Sequence, residues 1–289
     1  MAVEASLWVS TAQTLGQHGL VVFAIGLVVA MAAGGLGCAL LHRRHARRID
    51  AGDALAPTLA RLLAGYATGF ALLLGAASLV AVIGQQVTSG GHWGLADQAL
   101  ADAIGRHTPA VALRAFGVLT HLGDPLALAA LGAAVAVLLW RRRERLLAAG
   151  WIIALAGNAI LNPLLKQVFE RARPLHELAT TPLAGYSFPS GHTSGAMVAY
   201  GMLLYLAIRL LPMRWHAAAA MAAAALVLTI ACSRVFLRVH FASDVAAGLL
   251  SGLSWLGVCV ASLQFARHRR TAQPSAQWPA PPGRLGMVP

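Results

Sequence analysis

Seven stretches of this chain, at about 19 to 41, 62 to 84, 124 to 140, 147 to 165, 192 to 212, 216 to 232 and 245 to 265, are apolar over near-membrane length. A helix of roughly 20 residues crosses the hydrocarbon of a bilayer. No water is present there to satisfy an open backbone, so each segment must close its own hydrogen bonds. The expected fold class is therefore all-α, a polytopic membrane helical bundle. Composition agrees, since 58% of the residues are hydrophobic, only 11% are charged and the mean hydropathy is +0.68.

The net charge of +12 invites a nucleic-acid reading. Duplex-binding arginines form a stripe on a soluble domain, however, whereas these lie between apolar runs. Fifteen of the 22 basic residues fall in loops on alternate sides of the spans: Arg43, Arg44, Arg47, Arg48 and Arg61; Arg141, Arg142, Arg143 and Arg145; Arg209 and Arg214; Arg267, Arg269, Arg270 and Arg284. The positive-inside bias puts those loops in the cytoplasm, with the N-terminus outside and the C-terminus inside. Arg106, Arg114, Lys166, Arg171, Arg173, Arg234 and Arg238 are left on the outer side, against the bias. Binding an anion is a reason for them to be there.

The first apolar run is longer than a signal-peptide core and its charges follow it, so it reads as a retained span. Cys38, Cys232 and Cys259 have unrelated spacings and suggest neither a disulfide framework nor a zinc site. Residues 85–123 mix Asp97, Asp102, Arg106 and Arg114 with apolar residues at helical spacing, which predicts interfacial amphipathic helices broken near Pro109, covering the bundle. Residues 271–289 carry five prolines and little to bury, and read as a disordered cytoplasmic tail. Gly248 and Gly252 form a small-xxx-small pair that serves helix packing or a homodimer contact.

Three short segments at the ends of apolar runs gather the nucleophilic and ionisable side chains, which are costly beside a membrane and usually functional. In the first, Lys166, the chain's single lysine, precedes Arg173-Pro174 by seven residues, close to two helical turns, although the proline draws Arg173 out of helical geometry. The two cations could grip one anion, or, together with Arg171, anchor at the headgroups, with Glu170 pairing to Lys166. In the second, Ser187 to Thr193 leads into the fifth span. Ser190 is placed to cap that helix and Gly191 to let a ligand approach its N-terminus, with His192 beside them. In the third, Ser233 and Arg234 precede His240 and Asp244, whose spacing of four lets the carboxylate fix the histidine's tautomer and leave the other ring nitrogen nucleophilic.

Taken in order, Lys-x6-Arg-Pro, Pro-Ser-Gly-His and Ser-Arg-x5-His-x3-Asp resemble the signature of the type 2 phosphatidic acid phosphatase superfamily, membrane lipid phosphatases whose site is related to that of vanadium haloperoxidases. The resemblance runs from the second span to the seventh and implies a six-helix phosphatase core over 61–270. Residues 1–60 would add one extra N-terminal transmembrane helix. It also implies residue roles. Lys166, Arg173, Arg234, the Ser190 hydroxyl and the Gly191 N–H would bind phosphoryl oxygens. His240 would attack phosphorus to give a phosphohistidine, Asp244 would orient it, and His192 would protonate the leaving oxygen and later activate water. The expected partners are a lipid phosphate or diphosphate and the surrounding lipids, without nucleic acid. No cofactor or metal is expected, because clustered cations repel a divalent ion. The expected place is a bacterial cytoplasmic membrane, with the site facing the periplasm or exterior.

Other readings fit less well. A Ser190–His192–Asp244 hydrolase triad lacks the Gly-x-Ser-x-Gly elbow and has no use for three cations, and those cations also oppose a metal held by His192, His240 and Asp244. An anion transporter predicts mid-span ionisable residues, and the first three spans have none well inside them. The substrate is an isoprenoid diphosphate by family frequency, with phosphatidate, lipid A and phosphotransfer as alternatives.

Overall fold

A computed structural model describes residues 2–50, 59–88, 92–174 and 185–272, and within them the chain is helical without strands. The helices are α1 (Ala2–Gln17), α2 (Gly19–Asp50), α3 (Leu59–Thr88), α4 (His92–His107), α5 (Ala110–Leu119), α6 (Pro125–Arg141), α7 (Arg145–Phe169), α8 (Gly191–Leu210), α9 (His216–Phe236) and α10 (Ala242–Ala272). Five segments are long and apolar enough to cross a membrane, within α2, α7, α8, α9 and α10. The expected third span, 124–140, is α6, and it forms a bent pair with α5, the two meeting at 45° around Asp124. Pro125 stands at the first turn of α6, where its missing N–H costs nothing, and the chain enters through a 3-10 turn at Thr120–Gly123. The second expected span, 62–84, lies within α3.

The 85–123 segment forms α4 and α5, separated at Thr108 and Pro109 as the proline predicts. One helix was not foreseen: α1 packs along α4, ahead of the first apolar run, while α2 packs against α9. All but the first two residues of the expected tail at 271–289 lie outside the described residues.

The main core lies where α6, α7, α8 and α10 meet, around the fully buried Trp151 with Leu139, Leu147, Val198, Met202 and Leu263. Trp151 satisfies its indole N–H on the Gly132 carbonyl at 2.8 Å. Because these helices alternate in direction, the C-terminal ends of α7 and α9 and the N-terminal ends of α8 and α10 share one end of the bundle. All three segments noted in the sequence are at that end. Arg141 to Arg145, Arg209 and Arg214 are at the other.

Gly248 and Gly252 set the distance between α10 and α8. A Cβ at Gly248 would stand 2.7 Å from the Ser190 carbonyl oxygen, and one at Gly252 would stand 2.9 Å from that of Ser194. The small-residue face is thus occupied within the chain, by the first turns of α8. Gly248→Val should push these helices apart, costing roughly 1–3 kcal/mol by overpacking, and should lower the unfolding temperature in detergent together with any activity.

Candidate active site

Each segment reaches the shared end of the bundle by local chemistry. Helix α7 stops at Phe169 because Glu170 takes a left-handed conformation, φ 46°, with its N–H on the Lys166 carbonyl. Arg171 to Pro174 then run as non-helical chain over the bundle end. Lys166 and Arg173 therefore converge through this turn, and the two-turn helical spacing expected from the sequence does not operate. Ser187 closes the next segment against it, its N–H on the Arg171 carbonyl at 2.8 Å and its hydroxyl on that of Ala172 at 2.9 Å. The Phe188–Pro189 peptide that follows is cis. Ser190 holds the N-cap position of α8, but its side chain makes no cap bond and instead accepts the Thr193 hydroxyl at 3.0 Å.

His240 lies in the turn between α9 and α10 and Asp244 in the first turn of α10. Asp244 Oδ2 accepts the Phe241 N–H at 2.9 Å, as the third residue of a capping box does, and lies 3.3 Å from His240 Nδ1. The tautomer with a proton on Nδ1 donates to Asp244 and leaves a lone pair on Nε2. Arg173 Nη1 lies 3.3 Å from that Nε2 and also donates to the Val239 carbonyl at 2.9 Å. The imidazole is buried, and burial first of all pushes its pKa down to about 4. The Asp244 bond and charge oppose that drop, while Arg173 and Lys166 add to it. At neutral pH His240 is uncharged.

A cavity of about 500 Å³ opens beside this group, lined by Lys166, Arg173, Gly191, His192, Arg234 and His240. Six of the eight sequence-predicted residues thus share one wall. The other two stand behind it: Asp244 is fully buried beneath His240, and Ser190 is fully buried, with its N–H on the Asp244 carbonyl at 3.0 Å. Among the described residues Lys166, Arg173 and Arg234 make no ion pair with a carboxylate. Lys166 donates to the Tyr186 carbonyl, and Arg234 Nη1 to Thr120 Oγ1 at 2.7 Å. Arg234 Nε is buried with no hydrogen-bond partner among the described residues. Three cationic donors therefore surround a space beside a neutral nucleophilic nitrogen, an arrangement suited to a tetrahedral oxyanion.

Sequence reasoning missed the residues that brace this wall. Arg171, read as an outward cation or a headgroup anchor, is buried and bridges Asp244 Oδ1 at 2.6 Å and Asp97 Oδ2 at 2.9 Å. Its guanidinium also lies 4.2 Å from the centre of the Phe241 ring. Asp97 comes from α4, in the segment expected to be a mere cover, and accepts the Ser243 hydroxyl as well. Arg238 pairs with Asp102 of the same helix at 2.8 Å. The acidic stripe of α4 was visible in the sequence, but its partners are 74 and 136 residues away. Asn162 also escaped notice; it donates to the Pro189 carbonyl and to Ser194 Oγ, at 3.4 and 3.3 Å. The serine triad is not assembled, because His192 bonds Asp124 and not Asp244.

A family model described as "PAP2 superfamily" matches residues 145–268, the stretch that carries all three segments. Among solved structures, a transmembrane PAP2 type phosphatidylglycerolphosphate phosphatase from Bacillus subtilis superposes with a TM-score of 0.62. It is 22% identical, over 67% of this chain and 96% of that one, so the likeness is one of fold. No curated protein matches the sequence.

Two outcomes follow from this geometry. Arg171→Met should leave two carboxylates buried and uncompensated and destabilise the protein by about 3–5 kcal/mol, read from unfolding in detergent. The folded protein holds His240 neutral down to about pH 4, whereas the unfolded chain takes up that proton near 6.5. The unfolded state thus binds more protons between these values, and stability should fall as pH drops from about 6.5 to about 4. His240→Gln should flatten that part of the stability profile relative to wild type.

Proposed function

We propose, from the match of residues 145–268 to a PAP2 superfamily model, that the protein is an integral membrane phosphatase that hydrolyses a lipid phosphate or diphosphate through a phosphohistidine. The observation that carries this reading is the convergence of Lys166, Arg173 and Arg234, none paired with a described carboxylate, on the cavity that His240 Nε2 faces. The three cations and the Gly191 N–H hold the non-bridging oxygens. His240 Nε2 attacks phosphorus in line, the P–N bond forms as the bond to the leaving oxygen breaks, and Asp244 stabilises the resulting charge through Nδ1. His192 protonates the leaving oxygen and then draws a proton from the water that releases phosphate. No step calls for a metal.

The cavity also supports a lipid substrate. From the cations it continues along Pro163, Ala159, Ala156 and Leu155 of α7, with Leu128 and Ala129 of α6 and Val198 of α8 opposite. Leu155 is eleven residues before Lys166, so this apolar slot extends roughly 16 Å from the headgroup at about 1.5 Å per residue. A phosphorylated chain fits such a slot, whether isoprenoid diphosphate or phosphatidate. The excess of basic residues at the opposite end of the bundle supports an outer-leaflet site in a bacterial cytoplasmic membrane.

Purified protein in detergent should release phosphate from phosphatidate or a polyprenyl diphosphate with EDTA present, and vanadate should inhibit it. His240→Ala should reduce turnover by on the order of 10³-fold or more, and Arg234→Ala by roughly 10²- to 10³-fold. Release that requires a divalent metal, or that survives loss of His240, would overturn the assignment.

A further inference from the structure

His192 has a carboxylate partner that none of the three motifs contains. Its Nε2 lies 2.7 Å from Asp124 Oδ1, and Asp124 Oδ2 lies 2.7 Å from Nδ1 of the exposed His121. Asp124 occupies the N-cap position of α6 in extended conformation, yet its side chain makes no cap bond. An aspartate there ordinarily caps the helix for about 1 kcal/mol. Here the carboxylate is turned to the two imidazoles instead.

The other charges around His192 are positive: Arg234 from α9, Arg173 from the chain after α7, and Lys166 from α7 across the cavity, with neutral His240 beyond. A general acid has to carry its proton when the leaving oxygen is released, and neighbouring cations oppose a cationic ring. Asp124 is the carboxylate bonded to His192 among the described residues. On the phosphatase reading above, the geometry points to Asp124 as a positioning residue that holds Nε2–H of His192, favours the cationic ring against the surrounding arginines and leaves Nδ1 to donate to the leaving oxygen. Nδ1 of His192 has no hydrogen-bond partner among the described residues. The site then contains two His–Asp pairs of opposite sense, with His240 held at Nδ1 and reacting at Nε2, and His192 held at Nε2 and reacting at Nδ1.

The protons balance through both halves of the reaction. As His240 Nε2 bonds to phosphorus and the bond to the lipid oxygen breaks, the Nδ1 proton of His192 passes to that oxygen. His192 is left neutral with Nε2–H still on Asp124, the tautomer whose Nδ1 can accept a proton. In the second half Nδ1 takes a proton from water, the water oxygen bonds to phosphorus, the P–N bond breaks, and phosphate leaves with His192 cationic again.

The test is leaving-group dependence, read as kcat/KM so that only steps up to phosphohistidine formation count. For a short-chain phosphatidate, whose alkoxide needs a proton, Asp124→Asn should lose about 10²-fold or more. For p-nitrophenyl phosphate, whose phenolate departs without one, the loss should stay below about threefold. The double variant with His192→Ala should be no worse than His192→Ala alone, since both remove one function. Equal losses on the two substrates would make Asp124 merely structural, and wild-type rates on both would remove it from the reaction; either result overturns the inference while the phosphatase reading stands. Asp124→Ser, which keeps a capping oxygen, gives the same discrimination should the amide variant not fold. If wild type hydrolyses neither substrate nor any lipid phosphate, the phosphatase reading itself falls, and this inference with it.

Discussion

The Asp244 residue is where the three segments meet. Its carboxylate receives Arg171 from the chain after α7, His240 from the preceding turn and the Phe241 N–H of its own helix, while its carbonyl receives the Ser190 N–H at the start of α8. A fully buried carboxylate is costly unless its oxygens are paired. Satisfying it fixes the relative positions of chain parts more than 70 residues apart. The cavity, the tautomer of His240 and the close contact at Gly248 all depend on that one arrangement.

The cations at this end of the bundle fall into two groups. Arg171 and Arg238 are matched by Asp97 and Asp102 of α4, so that helix serves as a source of counter-charge for the wall behind the site. Lys166, Arg173 and Arg234 are bonded to carbonyls and a hydroxyl, neutral acceptors that orient a charge without cancelling it. This division leaves positive potential at the cavity, where an incoming phosphate would supply the missing charge. The bend at Asp124 contributes a carboxylate at the cavity's edge, bonded to His192.

Much of the fold was legible in the sequence. The apolar runs marked the spans, and Pro109 marked the break between α4 and α5. The three motif segments yielded six residues of the cavity wall. Other features were hidden for identifiable reasons. Helix α1 is short of membrane length and gave no apolar signal, so it appeared only through its packing on α4. The His192–Asp124 contact was hidden because its two residues lie 68 positions apart. Arg171 looked like an interface anchor because nothing near it in sequence is its partner.

What the sequence alone determined was chemistry and period: helices by the length of the apolar runs, a set of cations and histidines at motif spacing, and a likeness to one superfamily. The tertiary structure decided which charges remain uncompensated and which ring nitrogen His192 presents. Those are properties of contacts at 2.6 to 3.3 Å between distant parts of the chain, Arg171 with Asp244, His192 with Asp124 and Arg173 with His240. The His240–Asp244 pair could be read from its spacing of four, but the pairing of Arg171 and of His192 arises only once the helices have packed, so no local pattern of residues could carry it.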